Sequence, residues 1–308
     1  MKEYQAEFIR NVGLFSHGGA GKTSLAEALL FQSGAITRLG KVEEGTTTTD
    51  YDPDEVKRHI SVSTALAPCE WQGHKVNVLD TPGYADFVGE VVQAMRVVDG
   101  AVILVDAVSG LEVGTETSWQ EAEKNGVARI FFINKMEREN ANFETTFQSL
   151  RNRFGKGVVP LQAPIGSQQN FKGVVDLLTM TAITDDGTSQ EISGEIREVA
   201  DRYREMLVET VVEIDDDLIN KYLEGEEISV DELKKALRTG VRDRAIYPVM
   251  CGSALANRAI APVLDAIVAY IPNPLEIVVH TADGETSPGE LNNKNKLAAL
   301  VWKTVSDP

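Results

Sequence analysis

Apolar residues fall in short blocks, separated by glycine and polar punctuation, and the blocks alternate between strand-like and helix-like spacing. Residues 8–15 predict a strand; Gly18, Gly19 and Gly21 follow, and 24–31 carries an alanine and leucine stripe of helical period. Strand, glycine loop and helix open an α/β unit. Residues 37–59, with Gly45, a run of threonines, acids and Pro53, lack periodicity and predict a mobile loop. Two strands, 61–70 and 75–79, are joined by a turn at Gln72-Gly73-His74. Helices are expected over 87–98, 115–125 and 143–154. The strands between them, 101–105 and 128–133, are apolar throughout, as for a sheet covered on both faces.

The pattern changes after 158. Short strands are expected at 158–165, 173–176 and 179–183, then one long charge-laced helical stretch over 193–222. A further helix over 230–239 starts from a capping box, Ser229 with Glu232. These features predict an inserted α+β subdomain over 159–245. A buried strand at 246–250 and a helix at 261–271, stopped by Pro272 and Pro274, return to the first pattern. Residues 280–295 read as linker, and 297–305 begin a strand-like run that ends at Pro308, as in a cut chain.

A chain of 308 residues with 43% hydrophobic content can bury a core without staples. Cys69 and Cys251 are too few for a disulfide framework and are expected to be reduced thiols of a cytoplasmic protein. The formal charge of -17 argues against a general nucleic-acid binder. The acid-bearing N-terminus is unlike a signal peptide, and no apolar run approaches the ~18 residues of a membrane helix.

Three segments carry chemistry. The first is Ser16-His17-Gly18-Gly19-Ala20-Gly21-Lys22-Thr23. Small residues let successive backbone N–H groups curl around phosphate oxygens, and the following helix aims its free N–H groups at the same anion. Lys22 should reach the terminal phosphates and Thr23 should ligate Mg²⁺. The second is Val78-Leu79-Asp80-Thr81-Pro82-Gly83, an apolar strand ending in a carboxylate where open sheets bind ligands. Asp80 is expected to hold Mg²⁺ through water, and the Gly83 N–H to bond the γ-phosphate. The third is Asn134-Lys135-Met136-Glu137. There Asn134 can bond a purine and brace the phosphate loop, the Lys135 stem can lie on the ring, and Glu137 can accept the N1 and N2 hydrogens that guanine has and adenine lacks. Residues 251–255, including Ser253, Ala254 and Leu255, would offer a backbone N–H to O6.

With these three segments in order, the chain resembles the translational GTPases, and within them the GTPase domain of the elongation factor G type. Val97-Val98-Asp99-Gly100-Ala101, Pro164-Ile165-Gly166 and Pro248-Val249-Met250-Cys251-Gly252-Ser253-Ala254 extend the likeness over nearly the whole length. The resemblance implies a P-loop NTPase three-layer α/β fold with a mostly parallel central sheet. Its GTP-binding domain would span 1–158 and 246–275, with the inserted subdomain between, and a linker with the first strand of a truncated β-barrel over 276–308. It implies GTP or GDP with Mg²⁺ as cofactors, contacts from His17 through Ser24, and ribosome-stimulated hydrolysis. The ribosome would be the partner, through the full-length protein; no membrane is involved and the isolated fragment would be monomeric.

Several positions depart from the family pattern. The histidine that orients the attacking water is Tyr84. The Mg²⁺-completing threonine falls at Ser61, and the glycine beside it at His59. The phosphate loop has Gly18 and Gly19 in place of a hydrophobic residue and an aspartate, and Glu137 replaces an aspartate. Lys22, Gly83 and Tyr84 are the candidate catalytic residues. A nucleotide-dependent switch with little hydrolysis is the competing reading, kept open by Tyr84.

Overall fold

The computed structural model describes residues 2–184, 189–192, 194–277, 279–281, 284–286 and 299–304. β1 (Ile9–Phe15) leads through the glycine loop into α1 (Lys22–Gln32). After α2 (Pro53–Arg58), β2 (Ala65–Trp71) and β3 (His74–Asp80) form a hairpin. Its turn is two residues, Gln72 and Gly73, both with positive φ, the geometry whose twist suits a hairpin. Next come α3 (Val88–Met95), β4 (Gly100–Asp106), α4 (Val113–Lys124), β5 (Ala128–Asn134) and α5 (Phe143–Phe154).

Residues 158–165 are not one strand. β6 (Val158–Pro160) pairs with the central sheet, while β7 (Gln162–Ile165) belongs to a second sheet. β8 (Gly173–Asp176), β9 (Thr181–Thr184) and β10 (Ser189–Glu191) complete that antiparallel sheet. The long helical stretch is two helices, α6 (Glu195–Val212) and α7 (Asp216–Glu224). Asp215 starts the second by accepting hydrogen bonds from the N–H groups of Asp217 and Leu218. α8 (Val230–Arg242) begins from the expected capping box of Ser229 and Glu232. β11 (Tyr247–Cys251) and α9 (Ala261–Tyr270) close the central unit.

Among the described residues the central sheet has seven strands in the order β2-β3-β1-β4-β5-β11-β6, and β2 is its one antiparallel member. Every residue of β4 and β5 is buried, so both faces of the sheet are covered. α1 and α9 pack on each other and on β1; α3 and α4 pack on each other and on β1 and β4 respectively. The expected α/β fold of the P-loop NTPase type is present. β1, β3, β4 and β5 all end at the same edge, with Asp80 level with Leu14 and, further along, Asp106 level with Asn134.

Two further expectations are corrected. The segment 37–59 takes a defined path, including α2, because buried carboxylates supply partners for its backbone. Glu27 of α1 accepts from the N–H groups of Gly40 and Thr48. Glu55 of α2 accepts from those of Val62 and Ser63, at 2.8 and 3.0 Å, and closes a capping box with Asp52. Periodicity does not register such contacts. At the other end, residues 299–304 form no strand. Lys303 instead donates to the Thr64 carbonyl and to Glu90. The linker expected over 280–295 lies mostly outside the described residues; β12 (Val279–Thr281) and β13 (Gly284–Thr286) pair within and beside it.

Asp99 ties β1 to the start of β4, accepting from the Asn11 N–H at 2.9 Å and donating its own N–H to the Asn11 carbonyl. Burial pushes its carboxyl from 3.8 up to about 7, against the pull of the Asn11 hydrogen bonds. Between those values the folded chain holds a proton that the unfolded chain has lost. This group therefore makes stability fall as pH rises across that window, at up to about 1.4 kcal/mol per pH unit. Asp99→Asn keeps an acceptor for Asn11 and removes the titration. Urea unfolding at about pH 5 and pH 8 should show a pH-dependence about 2–4 kcal/mol smaller in the variant.

Candidate functional site

The loop after β1 curls back over the start of α1. Gly19 and Gly21 have φ of +81° and +97°, a region side chains resist. A Cβ on Gly21 would also stand 2.5 Å from Asn134 Nδ2. Lys22 is buried beneath the loop. Its Nζ donates to Ser16 Oγ at 3.1 Å and to the His17 carbonyl at 3.2 Å. Ser16, where the phosphate-loop pattern has glycine, thus serves as a rest for the lysine. Burial lowers the Lys22 pKa from 10.5 to about 8, while Asp80 and Asp50 pull the other way.

Beside Lys22 lies a group of oxygen donors from three segments. Thr23 Oγ1 is 3.0 Å from Ser61 Oγ. Asp80, at the end of β3, is 1% exposed; its Oδ2 accepts from Thr49 Oγ1 at 2.8 Å, and by hydrogen-bond geometry its Oδ1 has no partner among the described residues. Burial raises the Asp80 carboxyl to about 6, with the Thr49 hydroxyl opposing. Asp50 lines the same space, and burial raises its carboxyl while a Ser61 hydrogen bond lowers it. Hydroxyls and carboxylates with one orphaned buried oxygen are a hard-donor set, which suits Mg²⁺. Gly83 follows closely: a Cβ there would meet Lys22 Nζ at 2.3 Å and the Gly18 backbone at 2.8 Å. Only glycine permits this approach.

A second group surrounds the other end of the cleft. Asn134 Nδ2 donates to the Ala20 carbonyl and its Oδ1 accepts from the Ala254 N–H, both at 2.9 Å. One side chain therefore clamps the phosphate loop to the loop after β11. Lys135 reaches back across the cleft, and its Nζ meets the Gly19 carbonyl and Asp106 Oδ2, each at 2.6 Å. Glu137 lines the cleft, and its buried Oε2 has no hydrogen-bond partner among the described residues. That oxygen is free to accept from the edge of a base.

Together these segments border one cleft of about 200 Å³. The profile described as "Elongation factor Tu GTP binding domain" matches residues 7–273. The chain belongs to that GTP-binding family. It is 41% identical over 310 residues to elongation factor G of Thermotoga petrophila, covering 97% of this chain and 45% of the relative. Elongation factor G of Thermotoga sp. strain RQ2 matches to the same extent. The crystal structure of a Thermus thermophilus protein, ttk003000868, superposes with a TM-score of 0.82 at 35% identity, covering 91% of this chain and 44% of that one. The expected likeness to the elongation factor G type is thus present, and the chain spans less than half the length of these relatives. Among the described residues, no helix is long and apolar enough to cross a membrane.

In this GTP-binding domain the cleft is lined by Gly18, Gly19, Gly21, Lys22, Thr23, Ser24, Ser61, Gly83, Tyr84, Asn134, Lys135, Glu137 and Leu255 among the residues expected from sequence. Asp80 does not line it: the carboxylate is buried behind the lining, beside Lys22 and Thr23. His17 and Ala20 contribute carbonyls behind it, accepting from Lys22 and Asn134. Ser253 is fully buried, and the Ala254 N–H is committed to Asn134, so neither reaches the lining. Thr49, Asp50 and Asp106 join the site without having been expected from sequence. Asp106 could have been found, since it ends an apolar strand in register with Asn134, as Asp80 ends β3. Thr49 and Asp50 sit in a segment without periodicity and carry no such signal.

Proposed function

We propose that this chain is the nucleotide-binding part of a translation factor of the elongation factor G type. It binds GTP or GDP with Mg²⁺ and hydrolyses GTP to GDP and phosphate under ribosome stimulation, in elongation, translocation or a related step in the cytoplasm. The observation that carries the reading is the convergence of Lys22, the Thr23 hydroxyl and Glu137 on one cleft, with the Asp80 carboxylate buried beside the first two. A cation for phosphate, an oxygen for a hard metal and an acceptor for a guanine edge are the three demands of GTP.

In the proposed reaction Lys22 neutralises the terminal phosphates as charge develops on them. Loop N–H groups and the N-terminus of α1 bind the remaining oxygens. Thr23, Ser61 and Asp80 would hold Mg²⁺, which when bound supplies charge neutralisation at the phosphates. The Gly83 N–H orients the γ-phosphate, and Tyr84 at the mouth of the cleft positions the water. A phenol can hydrogen-bond water but offers no imidazole, which favours slow hydrolysis and keeps the switch reading in view.

The test is phosphate release by the full-length protein with and without ribosomes, beside Tyr84→His. Slow intrinsic turnover, ribosome stimulation and a further increase of about tenfold in the histidine variant are expected. Rapid hydrolysis by the isolated domain would overturn the proposal.

A further inference from the structure

Gly18 is a glycine without a backbone reason. Gly19 and Gly21 in the same loop have strongly positive φ, but Gly18 does not. What a side chain at 18 would meet is Tyr84. A Cβ there would stand 3.1 Å from Cζ of the ring and 3.2 Å from Cε1 and Cε2, and these are its three nearest neighbours. Near-equal distances to three adjacent ring atoms put that Cβ above the ring face, not at its edge. The contact is shorter than ordinary van der Waals separation, so even one methyl group would displace the ring.

Tyr84 is 45% exposed, and among the described residues its hydroxyl has no hydrogen bond. Gly83, one residue earlier, is pressed against the Gly18 backbone and Lys22 Nζ, which brings residue 84 over the loop. The seat on Gly18 is thus one contact that orients the phenol.

We infer that Gly18 and Tyr84 are a matched pair: Gly18 is a positioning residue whose missing side chain seats the Tyr84 ring on the phosphate loop. The functional part rests on the reading of the cleft as a GTP site. A side chain at 18 would press on the face of the Tyr84 ring, and the ring would have to shift to admit it.

The experiment is a double-mutant cycle in the full-length protein with Gly18→Ala and Gly18→Val, each alone and combined with Tyr84→Ala. Three readouts are the thermal midpoint without nucleotide, GDP affinity by calorimetry, and kcat against KM for GTP on ribosomes. With Tyr84 present, Gly18→Val should weaken GDP binding about tenfold or more. Gly18→Ala should lower kcat several-fold with a much smaller change in KM. In the Tyr84→Ala background Gly18→Val should cost about threefold or less in affinity, and neither substitution should lower the midpoint further. Equal costs in both backgrounds overturn the pairing. If Gly18→Val does not fold alone but folds with Tyr84→Ala, the pairing stands. Absence of GDP binding by the unaltered protein overturns the GTP-site reading and with it the positioning role, while the thermal cycle still decides the steric pair.

Discussion

Replacing Lys22 by alanine is expected to weaken GTP and GDP binding by about 100-fold or more. The ammonium is the buried cation of the phosphate loop, and truncating one partner of a buried, hydrogen-bonded charge pair costs about 2–5 kcal/mol. The nucleotide-free chain should respond differently. There the burial that lowers the Lys22 pKa to about 8 opposes the charge, and its contacts are Ser16 Oγ and loop carbonyls. Removing it should leave the nucleotide-free melting temperature little changed, while excess GDP raises that of the wild type and not that of the variant. Calorimetry and a thermal scan with and without GDP separate the two effects. Retained GDP affinity in a folded Lys22→Ala chain would reject the phosphate assignment.

Asn134→Ala should be the most damaging change at the base end. The side chain makes two buried hydrogen bonds to segments far apart in sequence, at Ala20 and Ala254. Deleting it leaves a buried carbonyl and a buried N–H without partners, at about 1–3 kcal/mol each before relaxation. A stability loss of about 2–4 kcal/mol is expected, with GDP affinity reduced about 30-fold or more because the loop loses its brace. Asn134→Asp should not rescue it, since a carboxylate can accept from the Ala254 N–H but repels the Ala20 carbonyl. Urea unfolding measures the first effect. Titrating GDP and ADP into wild type and variant measures the second, and equal binding of GDP and ADP by the wild type would reject the role given to Glu137.

The glycine loop, the acid-ended strand and the Asn-Lys-Met-Glu segment were legible because each depends on short-range order. Loop curvature, helix entry and strand burial are set by neighbours within a few residues, so residue type and spacing report them. Chain breaks were less legible. Residues 158–165 have one β-like composition, yet β6 and β7 join different sheets, a choice made by distant strands β11 and β8. Residues 193–222 have one helical composition, yet α6 stops at Val212 and Asp215 starts a new helix through its own side chain. The ordered path of 37–59 depends on Glu27 and Glu55 accepting backbone N–H groups up to 21 residues away.

By itself the sequence determined that strands and helices alternate, that two strands are buried on both faces, and which three segments stand at sheet ends. These follow from periodicity and local sterics. Only the tertiary structure decided that Thr49 bonds Asp80, that Asp50 joins the same cleft, that Lys135 reaches Asp106, and that Tyr84 rests on Gly18. Each is a contact between segments whose separation is fixed by packing the whole sheet, and no local preference encodes a distance of that kind.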